Sequence, residues 1–304
     1  MRNKRYTQAL FLFILVSLVI VGWQEEKNHT PTIQAHRGGA ALYPENTIAA
    51  MIHAVKLGVP VLELDLHITK DQKVVVSHDA YLNAKKTLRP DGKRIDPQEQ
   101  MNYRIYQMNY DSLKQYDVGS LPFSEFPNRK NIACHIPLVS DLIDTVEKYT
   151  QTNKLTPVGY NIEIKSDTSK DGVFSPDYKR FADLVMEVLL KKDLGNRLTI
   201  QSFDFRTLNY LYKKYPKLNY SYLVEPNGET FEQSLSHLNF VPHIYSPDYR
   251  MVTQKMIKKA HKRKMLIIPW TIDDKNNIQR LQKLGVDAII TNQPDSAMVW
   301  LSKH

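Results

Sequence analysis

The sequence predicts an α/β fold in which eight strand–helix repeats close into a parallel (β/α)8 barrel, with a small insertion after the second strand. Three observations predict it. From residue 30 onward, short β-branched runs alternate with longer helical patterns, and eight such units favour a closed ring over an open doubly wound sheet. Polar and titratable residues gather at the C-terminal ends of those runs, where barrel enzymes keep their chemistry. The stretch after the first run, HRGGAALYPEN, has the spacing of neither a dinucleotide fingerprint nor a phosphate-binding P-loop.

Taken in order, Thr32–His36 is the first strand, and the loop behind it leads to a helix over Thr47–Leu57, with Asn46 as N-cap and Gly58 as stop. Val61–His67 is the second strand, and Lys73–His78 a short extended run after the turn at Lys70–Gln72. Residues 80–137 break the rhythm. They are rich in Asn, Lys, Arg, Pro and Tyr, with one helical piece near Tyr110–Tyr116, and an irregular stretch of that length reads as an insertion. Helix then strand resumes: Leu138–Tyr149 and Val158–Ile164, Asp177–Lys192 and Leu198–Phe203, Phe205–Tyr215 and Leu218–Val224. Glu229–Leu238 precedes His243–Ser246, Thr253–Arg263 precedes Met265–Thr271, and Asn276–Leu284 precedes Asp287–Thr291, before a last helix. The count reaches eight when Lys73–Ser77 is assigned to the insertion.

Fold reasoning starts near residue 30 because residues 1–29 read as a signal peptide or N-terminal anchor. Arg2, Lys4 and Arg5 precede an apolar run over Ala9–Trp23, a length within the range of a signal-peptide core and short for a spanning helix. The segment lacks a small-x-small cleavage pair and a lipobox cysteine, which excludes a lipoprotein anchor. The barrel domain, residues 30–304, is therefore expected outside the cytoplasm, periplasmic or extracellular, and tethered to the membrane if the segment is uncleaved.

The chain carries a net charge of +9. That fits either a basic surface or attraction to anionic partners. The densest basic run, Lys255–Lys264, sets Met256, Ile257 and Ala260 at helical spacing under a solvated cationic face. No aromatics are interleaved with its charges, which argues against nucleic acid as a partner. Cys134 is the single cysteine, so no intramolecular disulfide or cysteine metal cluster can form. Its neighbour His135 points the other way on an extended segment, which argues against a Cys–His dyad. Nothing in the sequence bears on oligomeric state.

Glu63, Asp65 and His67 alternate along the second strand and so share one face, while Leu62, Leu64 and Leu66 take the other. If the leucines are buried against helices, the acids point into the barrel, where unpaired charge is costly. Glu163 ends the next barrel strand, with Lys165 two residues on. Three carboxylates without thiolate favour one hard divalent cation, Ca2+ or Mg2+, over Zn2+. His36 and His78 each end an extended run beside a charged residue, Arg37 and Asp79, and histidine is the side chain suited to moving protons near neutrality.

The segments AHRGGAALYPENTIAAM, GVPVLELDLHITKDQKVVVSHD, NIEIK, QSF, PWTID and TNQPD, in this order, resemble the glycerophosphodiester phosphodiesterases across residues 32–297. The resemblance implies a TIM barrel with a small insertion after the HD motif, and roles for matching residues. His36 and His78 would be the general acid and base, and Glu63, Asp65 and Glu163 the metal ligands. Arg37 and Lys165 would bind phosphate, Glu45 and Asn46 would shape the site, and Phe203 and Trp270 would lie near the glycerol. Ala288, Asn292 and Gln72 depart from the family's usual Gly, Asp and Gly at these positions, which bears on substrate detail. The implied reaction converts a small-molecule glycerophosphodiester to sn-glycerol 3-phosphate and an alcohol. The alternatives are phospholipase D-like cleavage of lysophospholipids, release of a cyclic phosphate, or a non-catalytic ligand-binding barrel.

Overall fold

The structure, a computed structural model, describes residues 30–302; the signal peptide or anchor expected over residues 1–29 lies outside the described residues. The strands are β1 (Thr32–Ala35), β2 (Val61–Ile68), β3 (Val74–Val76), β4 (Gly159–Ile164), β5 (Leu198–Ser202), β6 (Asn219–Val224), β7 (Ile244–Pro247), β8 (Leu266–Ile267) and β9 (Ala288–Thr291). All but β3 are parallel and run round a ring in the order β8-β7-β6-β5-β4-β2-β1-β9. Backbone bonds close the gap between β8 and β9, with Asp287 N donating to Ile267 O and Ile290 N to Pro269 O, each at 3.0 Å. The fold is the eight-stranded TIM barrel that the sequence predicts. β3 stands outside the ring as an antiparallel addition to β2, Leu66 opposite Val76.

The helices are α1 (Ile48–Lys56), α2 (Tyr110–Leu113), α3 (Val139–Thr152), α4 (Tyr178–Leu189), α5 (Phe205–Lys214), α6 (Phe231–Leu235), α7 (Gln254–Lys262), α8 (Lys275–Leu284) and α9 (Pro294–Leu301), all but α2 lying around the ring. Leu62, Leu64 and Leu66 are fully buried on the outer face of β2, in one core with Val139, Leu142 and Val146 of α3 and Phe181 and Val185 of α4. Removing each such leucine from water contributes about 1.5–3 kcal/mol. Inside the ring, β4 and β5 carry a buried amide ladder. Asn161 Nδ2 donates to Gln34 Oε1 at 2.8 Å and to Gln201 Oε1 at 3.0 Å. Opposite it, Ile244, Ile268, Ala288 and Ile290 form a small apolar plug.

Three details differ from expectation. Thr47, not Asn46, caps α1, its hydroxyl accepting from Ala50 N at 3.2 Å; Asn46 has φ +58° and its side chain is engaged elsewhere. The strand expected over Met265–Thr271 shortens to two residues, because Pro269 has no N–H to continue the ladder. Strand β1 ends at Ala35, and His36–Gly38 form a tight turn instead. Residues 80–137 lie outside the ring over a second small core of Val75, Leu82, Ile95, Ile105, Leu113 and Ile136. Among the described residues no helix is long and apolar enough to cross a membrane.

Candidate active site

The turn after β1 sets the first side chains. Arg37 has φ +52° and Gly38 φ +81°, and a Cβ at Gly38 would sit 2.9 Å from that of Ala50. Only glycine lets the chain fold this closely on α1, and the left-handed Arg37 is a strained geometry of the kind held at functional sites. His36 and Arg37 thereby stand at the C-terminal mouth of the ring.

The mouth of β2 and β4 brings Glu63, Asp65 and Glu163 together. All three are buried, and one carboxylate oxygen from each lies within 4.8 Å of the others. Glu63 accepts from the Arg37 backbone N–H at 2.8 Å and from Gln201 Nε2 at 2.7 Å. Asp65 accepts from Asn46 Nδ2 at 2.8 Å, while its backbone N–H donates to Asn46 Oδ1. Lys165 Nζ lies 3.1 Å from Glu163 and 3.6 Å from Asp65, and Arg37 Nε 3.5 Å from Asp65. Burial, with Asp65 alongside, pushes the Glu63 carboxyl well above its ordinary value. Burial likewise pushes Glu163 up to about 7, with Lys165 opposing and Asp65 adding to the shift. Asp65 falls the other way: burial is outweighed by Lys165, His78 and Arg37. Three crowded, oxygen-only donors under mutual repulsion are a donor set that fits a hard divalent cation.

The two histidines differ in their supports. His36 Nδ1 faces Asn292 Oδ1 at 2.7 Å. Asn292 is oriented by donating its amide to Asp273 at 2.6 Å, so His36 carries its neutral proton on Nδ1 and leaves Nε2 with a lone pair. Burial and the Arg37 charge lower His36 to about 3. His78 follows β3 on a loop, and its Nδ1 meets Asp79 Oδ1 at 3.0 Å, which leaves Nε2 as its free ring atom. His67, the third inward residue of β2, contacts the His78 carbonyl through Nε2 at 3.1 Å.

A half-buried chain of alternating charges joins the two sides. Arg37 meets Glu45 at 3.0 Å, Glu45 meets Lys86 at 2.5 Å, and Lys86 meets Asp79 at 3.1 Å, next to His78. Burial of Glu45 is outweighed by Arg37 and Lys86, which hold its carboxyl at about 2. Lys86 comes from the insertion, and sequence reasoning missed it; adjacent Lys85 is exposed and pairs with Glu125, so nothing local distinguishes the two. Asp273, which orients Asn292, was missed as well.

A cleft of about 770 Å³ opens over the site, lined by His78, Glu163, Lys165 and Phe203 together with Tyr81 and Met101 of the insertion. Phe203 meets Trp270 edge to face, 5.3 Å between centroids, and Trp270 Nε1 is tied to Ser246 O at 2.9 Å. The eleven residues given site roles from the sequence thus lie at the same end of the ring. Cys134 stands apart: burial pushes its thiol up to about 12, which leaves it unsuited to nucleophilic work.

A sequence profile of the Glycerophosphoryl diester phosphodiesterase family matches residues 36–296. The chain is 27% identical over 269 residues to the glycerophosphodiester phosphodiesterase of Bacillus altitudinis, covering 88% of this chain and 96% of that one. A shorter match, 36% identical over 133 residues, is to human lysophospholipase D, covering 44% of this chain and 36% of that one. A solved structure from Silicibacter pomeroyi DSS-3 superposes with a TM-score of 0.80 at 24% identity, over 90% and 93% of the two chains. An Oleispira antarctica phosphodiesterase, solved with its product sn-glycerol-3-phosphate, superposes with a TM-score of 0.70 at 22% identity, over 90% and 98%.

Proposed function

The chain belongs to the glycerophosphoryl diester phosphodiesterase family, and from that premise we propose that it hydrolyses glycerophosphodiesters to sn-glycerol 3-phosphate and an alcohol. The observation that carries the detailed reading is the placing of His36 and His78 with free Nε2 atoms at the mouth that holds the three-carboxylate cluster. Glu63, Asp65 and Glu163 would hold one divalent cation, Ca2+ or Mg2+. When bound, such an ion supplies Lewis-acid stabilisation of charge on phosphoryl oxygens.

The chain's own residues account for the rest. Arg37 stands at the mouth, ion-paired to Glu45 and Asp65, and its guanidinium supplies positive charge there for an anionic oxygen. Lys165 adds a second cation on the cleft wall. Both stabilise charge that grows as the phosphoryl group transfers. One histidine takes the proton of the attacking hydroxyl, and the other returns a proton to the leaving alkoxide. Attack by the glycerol 2-hydroxyl gains from its high effective molarity and gives a cyclic phosphate that water reopens. Phe203 and Trp270 form an apolar wall suited to the glycerol carbons.

The test is turnover of glycerophosphocholine and glycerophosphoethanolamine by the purified chain, followed by coupled detection of sn-glycerol 3-phosphate. EDTA should abolish it, and Ca2+ or Mg2+ should restore it. His36→Ala and His78→Ala should each lower kcat by about 10²–10⁴-fold. Chelator-insensitive turnover would refute the metal role, and near-normal activity in either histidine variant the acid–base assignment. A second reading, cleavage of lysophospholipids, is favoured by exposed Met101 and Phe205 in the cleft. Turnover of glycerophosphocholine without any of lysophosphatidylcholine would refute it. The basic n-region and apolar run before residue 30 support export, with the segment either cleaved or kept as an anchor; N-terminal sequencing of the secreted protein separates the two.

A further inference from the structure

We propose that the end of the barrel opposite the cleft is a docking surface for an anionic lipid bilayer. That rim consists of the connections that follow the outer helices and enter the strands, and four of them expose a large apolar side chain. Leu155 after α3 is 40% exposed, Leu190 after α4 53%, Val241 before β7 61% and Leu266 at the start of β8 45%. Leu266 N bonds to the carbonyl of His243, two residues beyond Val241, so these two connections adjoin.

Cations accompany them. Lys154 adjoins Leu155, Lys191 adjoins Leu190, and Lys262–Lys264 run into Leu266, all of them exposed. Lys192 and Lys214 on this end are paired with Asp144 and Asp183, whereas the cations just named have no carboxylate partner among the described residues. The nearby Asp287 carboxylate is occupied by His261 and by the Ile267 amide. Helix C-termini favour positive charge, which accounts for lysines here but not for leucine and valine left in water beside them. A ring of apolar side chains interleaved with unpaired cations matches the interface of an anionic bilayer, where apolar groups enter the acyl boundary and lysines meet headgroups. Docked in this way, the active site faces away from the bilayer, toward soluble substrate.

Co-sedimentation of the full chain with phosphatidylcholine vesicles, with and without phosphatidylglycerol, tests this. Binding should rise with phosphatidylglycerol and fall with added salt. K262Q/R263Q/K264Q should lower the partition by on the order of 100-fold, and L190S/V241S/L266S should lower it at any charge. K93Q/R94Q/K114Q removes the same charge from the insertion and should leave it unchanged. The N-terminal segment is common to all variants and cancels in the comparison. Wild-type partition by both rim variants would overturn the proposal, as would equal loss in the insertion control. Loss with the charge variant alone, matched by equal affinity for soluble polyphosphate, would also overturn it and identify a polyanion surface. None of these readouts depends on turnover, so they stand apart from the proposed reaction.

Discussion

Lys86 carries more of the site than its position in a polar insertion suggests. It holds Glu45 and Asp79 at once and thereby braces both Arg37 and His78 from behind. Losing such a supporting partner typically costs about 10–100-fold, so Lys86→Met should lower kcat by that order with KM little moved, and Lys86→Arg should recover most of it. Steady-state kinetics of both variants check this, and coupling with Asp79→Asn in a double-mutant cycle should be non-additive. Cys134 makes the opposite prediction: with its thiol pushed up to about 12 by burial, it should react slowly with a disulfide reagent at pH 8 and rapidly once denaturant unfolds the chain. The carboxylates were legible because alternation along a strand is local: Leu62, Leu64 and Leu66 fix where Glu63 and Asp65 point. Lys86 was not, because its burial depends on how a long irregular segment packs over a distant loop. No neighbour in sequence distinguishes it from exposed Lys85.

At the scale of elements, the turn into α1 and the brace behind α3 are the points most open to test. Thr47→Ala removes the cap of α1 and should cost about 1 kcal/mol. Gly38→Ala forces a Cβ against Ala50 at positive φ and should cost about 1–3 kcal/mol. Urea titration of each variant measures both. Glu147 of α3 takes a two-pronged pair from Arg197 at 2.9 and 2.8 Å and a bond from Tyr160 at 2.8 Å. Burial alone would raise its carboxyl, but these partners outweigh it and hold it below the usual range. A carboxyl depressed in the folded state stabilises fully above its unfolded value, and that contribution disappears as pH falls through the folded value. Wild type should therefore lose stability in acid more steeply than Glu147→Gln, as urea midpoints at several pH values below about 5 would show. The α1 cap was legible to within one residue and the helix bounds to within three. The short β8 was not, since the sequence shows an apolar run there and the interruption comes from Pro269.

For the whole molecule, three buried acids at the barrel mouth make stability depend on what occupies them. A ligand that binds only the folded state at roughly a hundred-fold over its Kd adds about 2.7 kcal/mol. Calorimetry should thus show the melting temperature of the EDTA-treated protein rising with Ca2+ or Mg2+, and Glu163→Gln should lose that increment. The ring itself was legible as eight repeats. That β3 folds back on β2 was not, because three valines in a row carry no mark of parallel or antiparallel pairing. This hairpin has a practical consequence. His36 is borne by the ring, but His78 is borne by a side branch spliced between β2 and α3, outside the circuit of strands that closes the barrel. Residues 80–137 can therefore be exchanged as a cassette to reshape the cleft without reopening the ring, on condition that the graft brings its own cation to the place of Lys86.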